Sequence, residues 1–293
     1  MAAENNTIKI GQFSESAVLA VARAKKLDEK YGINWETQRV PSSPAQFESL
    51  SSGEIDIAIT SPDNVLLYAT TDKNPIGRQL QLRILRTIDR GMGLALYTSE
   101  DITEASQLRG TTLGVDVPNS GFAFLLFALA QKLGVAREDY ELESIGATPK
   151  RLSAVETKTV SATILNAETA VQAEQLGLRK WASSIDVSDN YLGTVLTQID
   201  ASMNPNTEKF LELWEEATSI ILSSSNSELV ELLKTDFPKL ANPEYVSLLQ
   251  SEDYGLLRDA KASEEQLSAL VQIRSDFGAY APTKEAIASL VAS

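Results

Sequence analysis

The chain has 293 residues and a formal net charge of −14, from 40 acidic against 26 basic side chains. That balance excludes nucleic acid and anionic membrane surfaces as partners, because both demand clustered Lys and Arg. The absence of Cys and His excludes disulfides, thiolate metal sites and thiol chemistry, and removes the commonest metal ligand and general base. No metal or cofactor is expected. Phe122–Ala130, the longest apolar stretch, is too short to span a bilayer, so no membrane insertion is expected.

In chain order, Ile8–Ile10 reads as a strand ended by Gly11. Ser14 is placed to cap a helix over Glu15–Lys30 that stops at Gly32. Strand Glu36–Val40 leads into Ser43-Pro44-Ala45-Gln46, which has the pattern of a capping box. Gly53 closes that helix, Ile55–Thr60 forms a strand, and Ser61-Pro62 opens another helix to about Thr70. This makes one β-α-β-α-β unit.

Leu82–Ile88 and Gly93–Thr98 are β-like runs separated by Asp89-Arg90-Gly91-Met92, a break that suggests a crossing between lobes. A second unit follows: a short helix over Glu104–Leu108, strand Thr111–Val117 and helix Phe122–Leu133. Strand Leu142–Ile145, helix Pro149–Glu156 after Thr148, strand Ser161–Leu165 and helix Ala167–Leu176 complete it. Tyr191–Gln198 is a β-like run that carries the chain back. From Asn204-Pro205 the pattern is helical, restarting at Asn242-Pro243, at the capping box Ser263–Gln266 and at Thr283. The expected class is α/β, with two open-sheet lobes, a two-crossing hinge and a helical C-terminal cap. Residues 1–88 with 195–293 are assigned to one lobe and 89–194 to the other.

Strand, capping residue, helix is the repeated theme. In open α/β sheets, ligands lie beyond the carboxyl ends of the strands, where unpaired helix N–H groups favour an anion. Asn119, Ser120 and Gly121 precede an apolar helix, and Gly121 permits close backbone approach, which makes them the leading contact candidates. Ser43 and Ser61 read first as caps, a role compatible with offering N–H groups to a ligand. Phe13 and Tyr191 have faces that stack on an organic molecule or fill the core. Arg90, in the first crossing, suits either a bidentate pair with a ligand anion or a salt bridge with Asp89. Were the chain an enzyme, its acid or base would come from Glu15, Asp63, Asp116 or Tyr191; helix-end roles compete for each carboxylate.

The chain resembles the type II periplasmic-binding-protein family, in the branch of solute-binding proteins for nitrate, sulfonates, taurine and thiamine-pyrimidine precursors. The likeness is carried by Ile8-Lys9-Ile10-Gly11, by Leu27-Asp28-Glu29-Lys30-Tyr31-Gly32, by Leu50–Ser61 and by Leu108–Val115. It extends from about residue 7 to residue 280 in order and spacing. It implies two lobes closing on a small anionic or zwitterionic organic ligand, with an ABC permease as partner if the protein is secreted. It also implies a cleft lined by Gln12, Phe13, Ser14, Ser42, Ser43, Ser61, Asp63, Asn64, Asn119, Ser120, Gly121, Asn166 and Tyr191.

The start Met-Ala-Ala-Glu-Asn-Asn lacks a basic, apolar leader. The expected location is extracytoplasmic if a leader was trimmed and cytoplasmic if Met1 is the native start. The alternative function is a cytosolic enzyme on the same scaffold, a decarboxylase, dehydratase, isomerase or cyclase working without metal or redox chemistry. The family's His- and Cys-dependent pyrimidine synthase chemistry is excluded by composition.

Overall fold

The computed structural model describes residues 6–200, 204–258 and 261–291. The first lobe opens with β1 (Thr7–Gln12), α1 (Ala17–Ala24), α2 (Leu27–Tyr31), β2 (Asn34–Arg39) and α3 (Ser43–Ser52). It continues with β3 (Ile57–Thr60), α4 (Pro62–Thr70) and β4 (Leu82–Asp89). The second lobe holds β5 (Ala95–Thr98), β6 (Thr112–Val115), α5 (Gly121–Lys132), β7 (Glu141–Ser144) and α6 (Thr148–Glu156). It ends with β8 (Ala162–Leu165), α7 (Ala167–Gln175), β9 (Arg179–Ser183) and α8 (Ser184–Val187). The chain returns through β10 (Thr194–Ile199) to α9 (Thr207–Ser223), α10 (Asn226–Leu233), α11 (Pro243–Leu249), α12 (Glu264–Asp276) and α13 (Lys284–Val291).

Each lobe is a five-stranded mixed sheet, ordered β2-β1-β3-β10-β4 in one and β7-β6-β8-β5-β9 in the other. In both, three parallel strands are followed by an antiparallel strand that has just arrived from the opposite lobe. Neither sheet is complete without the other's outgoing chain, so the lobes are tied at two crossings. Beside β1 and β10, Ile8, Ile10, Val21, Phe210 and Trp214 form one buried cluster. A second cluster runs without a break from Phe47 and Leu66 through Phe124 and Leu126 to Leu267 and Leu290, so the C-terminal helices pack on both lobes.

The two crossings meet at a glycine-rich knot. Asp89 at the end of β4 accepts from the Gly91 N–H at 2.7 Å and from the Thr194 hydroxyl, while its carbonyl accepts from the Gly193 N–H at 2.8 Å. A third segment clasps the first crossing: Arg90 N–H donates to the Gly255 carbonyl at 3.0 Å and Met92 N–H to the Tyr254 carbonyl at 2.9 Å. Gly91 and Met92 adopt left-handed backbone, with φ of 99° and 52°.

Several local expectations are corrected. Ser16, not Ser14, caps α1, because the buried run Ala17–Ala22 begins only there and residues 13–15 stay exposed. The expected Glu15–Lys30 helix is broken at Lys26, whose left-handed turn lets Leu27 pack inward. Ser42, not Ser43, caps α3, and Gln46 makes no capping box. Its buried amide instead donates to the Gly11 and Ile59 carbonyls at 3.0 Å. The caps at α6 and α9 fall on Ala147 and Asn206 rather than Thr148 and Asn204. Strand β9 was not expected: its Arg-Lys-Trp start is polar, as suits an edge strand, and carries no alternation. The capping box at Ser263–Gln266 and the helix cap at Asn242 are where the sequence placed them.

A Cβ at Gly193 would overlap the Asp89 carboxylate and the Gly91 backbone. Gly193→Ala is therefore expected to destabilise the protein by about 1–3 kcal/mol, read as a lowered urea midpoint at unchanged m-value.

Candidate functional site

The carboxyl ends of the parallel strands in the two sheets face each other, which places the N-termini of α4 and α5 in contact. Asp63, in the first turn of α4, is buried at that contact. Both of its oxygens lie 2.7 Å from Nη1 of Arg274 on α12, and the Gly121 N–H at the start of α5 also bonds it. Burial pushes the Asp63 carboxyl upward, while Arg274 and the Gly121 N–H pull it down and nearby Asp116 opposes them. The Arg274 guanidinium is fixed in turn by the Phe124 ring, 4.9 Å from its centroid, and by Nε donation to the Tyr280 carbonyl at 3.3 Å.

On the second lobe, Ser120 caps α5 by accepting from the Ala123 N–H at 3.0 Å, and its hydroxyl donates to Asp116. Arg151 on α6 lies 3.9 Å from Asp116, donates to the Gly146 carbonyl and the Thr148 hydroxyl, and sits over Phe122. Arg151 is 1 % exposed, and its Nε has no partner among the described residues. Burial pulls its pKa down against the opposing pull of Asp116. Tyr191 is buried in the second crossing; burial, then Asp63 and Asp89, push its phenol upward.

Of the expected site residues, the structure therefore gathers Asp63, Asp116, Ser120, Gly121 and Tyr191. Gln12 ends β1 buried, and its Oε1 has no partner among the described residues. Phe13, Ser14 and Glu15 form the exposed segment after it. Ser43 is half-buried, 3.3 Å from the Tyr68 hydroxyl, and Ser42 is exposed. Ser61 caps α4, accepting from the Asn64 N–H at 3.2 Å, and Asn64 donates to Thr60. Asn119 is exposed, and Asn166 is the cap residue of α7, its N–H on the Thr169 hydroxyl. Arg90 makes no ion pair with Asp89. Its Nη1 donates to the Asp189 carbonyl at 3.1 Å, because Asp89 turns inward to the knot.

Sequence reasoning missed Arg151 and Arg274. Each lies inside a helix with no local motif, and only the fold brings it to a strand end. A separate cavity of about 300 Å³ lies on the outer face of the first lobe, between β4 and α9. Arg86 there is already paired with Glu215 at 2.7 Å.

Over 93–98 % of its length the chain superposes on solved structures of periplasmic-binding-protein fold. The nitrate-binding protein NrtA of Synechocystis PCC 6803 matches with a TM-score of 0.77 and 12 % identity over 98 % of this chain and 85 % of that one. The alkanesulfonate-binding protein SsuA of Xanthomonas axonopodis pv. citri, bound to MOPS, gives 0.72 and 15 % over 94 % of each. A Candida albicans protein described as having the generic periplasmic binding protein fold gives 0.72 and 16 %, covering 98 % and 96 %. The chain has the periplasmic-binding-protein fold, in two α/β lobes with a helical C-terminus. In sequence, it is 24 % identical over 143 residues to a Brucella abortus protein provisionally described as a binding protein, a match covering 48 % of this chain and 42 % of that one. The match thus spans less than half the length of the curated relatives. No protein-family model matches.

Burial raises the Asp89 carboxyl from 3.8 to about 6, partly offset by the Thr194 hydroxyl and the Gly91 N–H. A carboxyl raised on folding binds more protons folded than unfolded, so its contribution to stability falls as pH rises from about 4 to 6. Asp89→Asn keeps an acceptor for the Gly91 N–H and removes that titration. Chemical denaturation across this window should show the pH slope made less negative by up to about 1.4 kcal/mol per pH unit. Arg274→Leu leaves Asp63 buried without its cation and should cost about 3–5 kcal/mol in the same measurement.

Proposed function

We propose that the chain is a solute-binding protein that holds a small anionic or zwitterionic organic molecule in the cleft between its lobes and presents it to an ABC permease outside the cytoplasm. The observation that carries this reading is the convergence of Ser120, Gly121, Asp63, Arg274, Asp116 and Arg151 where two helix N-termini meet across the lobes. Helix N–H groups, a hydroxyl and guanidinium groups in one recessed place are what a carboxylate, sulfonate or nitrate needs. Sulfonate- and nitrate-binding proteins of the same fold support the same ligand chemistry. No helix among the described residues is long and apolar enough to cross a membrane. The lobes used in this reading are residues 1–88 with 195–293, and 89–194, with Gln12, Ser61 and Tyr191 completing the lining.

Native mass spectrometry of freshly purified protein tests the reading. A small molecule should co-purify and be released unchanged on denaturation; release of a converted product would replace binding by catalysis. With the released compound as probe, Ser120→Ala should weaken binding about tenfold by calorimetry, because it removes the hydroxyl that caps α5 and holds Asp116. Equal affinity would remove Ser120 from the site.

A further inference from the structure

The recess of about 300 Å³ on the outer face of the first lobe shares no lining residue with the interlobe site. Its volume lies at the small end of the range for ligand pockets. Three segments wall it: β4, α9 and the stretch from Leu257 to Lys261. Leu257 extends the chain that clasps the first crossing, its N–H donating to the Ile88 carbonyl at 2.9 Å.

The charge on these walls opposes that of the protein. Against a net charge of −14, the cations Arg86, Arg258 and Lys261 line the recess with a single carboxylate, Glu215. Helix α9 carries four glutamates and one lysine, yet only Glu215 of these reaches the lining. Glu215 holds Arg86 in place, 2.7 Å from its Nε, and Nη1 donates to the Leu85 carbonyl at 2.7 Å. Nη2 of Arg86 has no partner among the described residues, and Arg258 makes no ion pair among them. An immobilised guanidinium with a spare edge is suited to an anion.

The apolar part of the lining lies deeper than the charge. Trp214 is buried and Leu222 and Leu257 are half-buried, whereas Arg258 and Lys261 are exposed. A cationic rim over an apolar floor matches a molecule that is anionic at one end and apolar in its body. An inorganic anion leaves the floor uncovered, and an organic cation meets repulsion at the rim. We propose that this recess is a second binding site, for a small organic anion with a short apolar body. It stands independently of the interlobe reading, since the two sites have no residue in common.

Calorimetry on the dialysed full-length protein tests it, with butyrate, pentanoate and hexanoate as probes and hexylammonium and hexanol as controls. Affinity should rise about threefold with each added methylene, as more apolar surface leaves water. The amine and the alcohol should bind about tenfold more weakly than hexanoate, or not at all. Arg258→Glu reverses an exposed charge at the rim and should weaken hexanoate about tenfold at an unchanged circular dichroism spectrum. Ser219→Phe, at an exposed position of α9, places a ring in the recess and should abolish binding; it carries the test if Arg258→Glu fails to fold.

The absence of binding by any of the acids overturns the proposal, as does hexylammonium binding as well as hexanoate. An affinity that survives both variants overturns it too. Weakening by Ser120→Ala in place of Arg258→Glu would put the probe in the interlobe cleft, overturning the second site and leaving the first standing.

Discussion

Asp89 is the constraint on which the two-lobe arrangement depends. Its buried carboxylate satisfies the Gly91 N–H on the outgoing crossing and the Thr194 hydroxyl on the returning one, and its carbonyl takes the Gly193 N–H. Backbone donors in a bend have no ladder to join, so a buried crossing needs an acceptor brought to it. Glycines at 91 and 193 leave room for that acceptor. Burying a carboxylate without a cation is unfavourable, and burial correspondingly pushes the Asp89 carboxyl upward. The cost is borne where the two sheets exchange strands, the place that sets how the lobes face.

From that hinge the site follows by topology. Each sheet contributes three parallel strands whose carboxyl ends point at the other lobe, and β3 and β6 are followed by the serine-capped helices α4 and α5. The α4 and α5 N-termini therefore meet, and one of them presents Asp63 to the other. The C-terminal helices are more than a cover. Through Arg274 they supply the cation that pairs with buried Asp63, and through Leu267 and Leu290 they share the core that spans both lobes. Electrostatics and apolar packing thus bind the same three segments.

The second lobe repeats the first in strand order but not in chemistry. Where the first places a carboxylate at its helix end, the second places a hydroxyl and a glycine N–H, backed by the Asp116–Arg151 pair. The facing surfaces are consequently unlike.

Much of the fold was legible in the sequence because its signals are local. β-branched runs, Ser/Asn caps and the Ser-Pro and Thr-Pro helix openings placed nine of the ten strands and most of the helices, though not α8 or α10, and they marked Ser120 and Gly121 as a helix entry. Cap positions slipped by one or two residues at Ser42 and Ser16; at α1 the buried run Ala17–Ala22, not the capping motif, decides where the helix begins. Strand β9 escaped because an edge strand needs no apolar alternation. Arg151 and Arg274 escaped for a deeper reason: Arg274 meets a partner 211 residues away, and no local pattern encodes such a pairing. The sequence by itself determined the elements, their order and the absence of thiol and imidazole chemistry, since each is a property of short segments or of composition. Only the tertiary structure decided which charges meet, because an ion pair between distant helices exists through the packing that removes both groups from water.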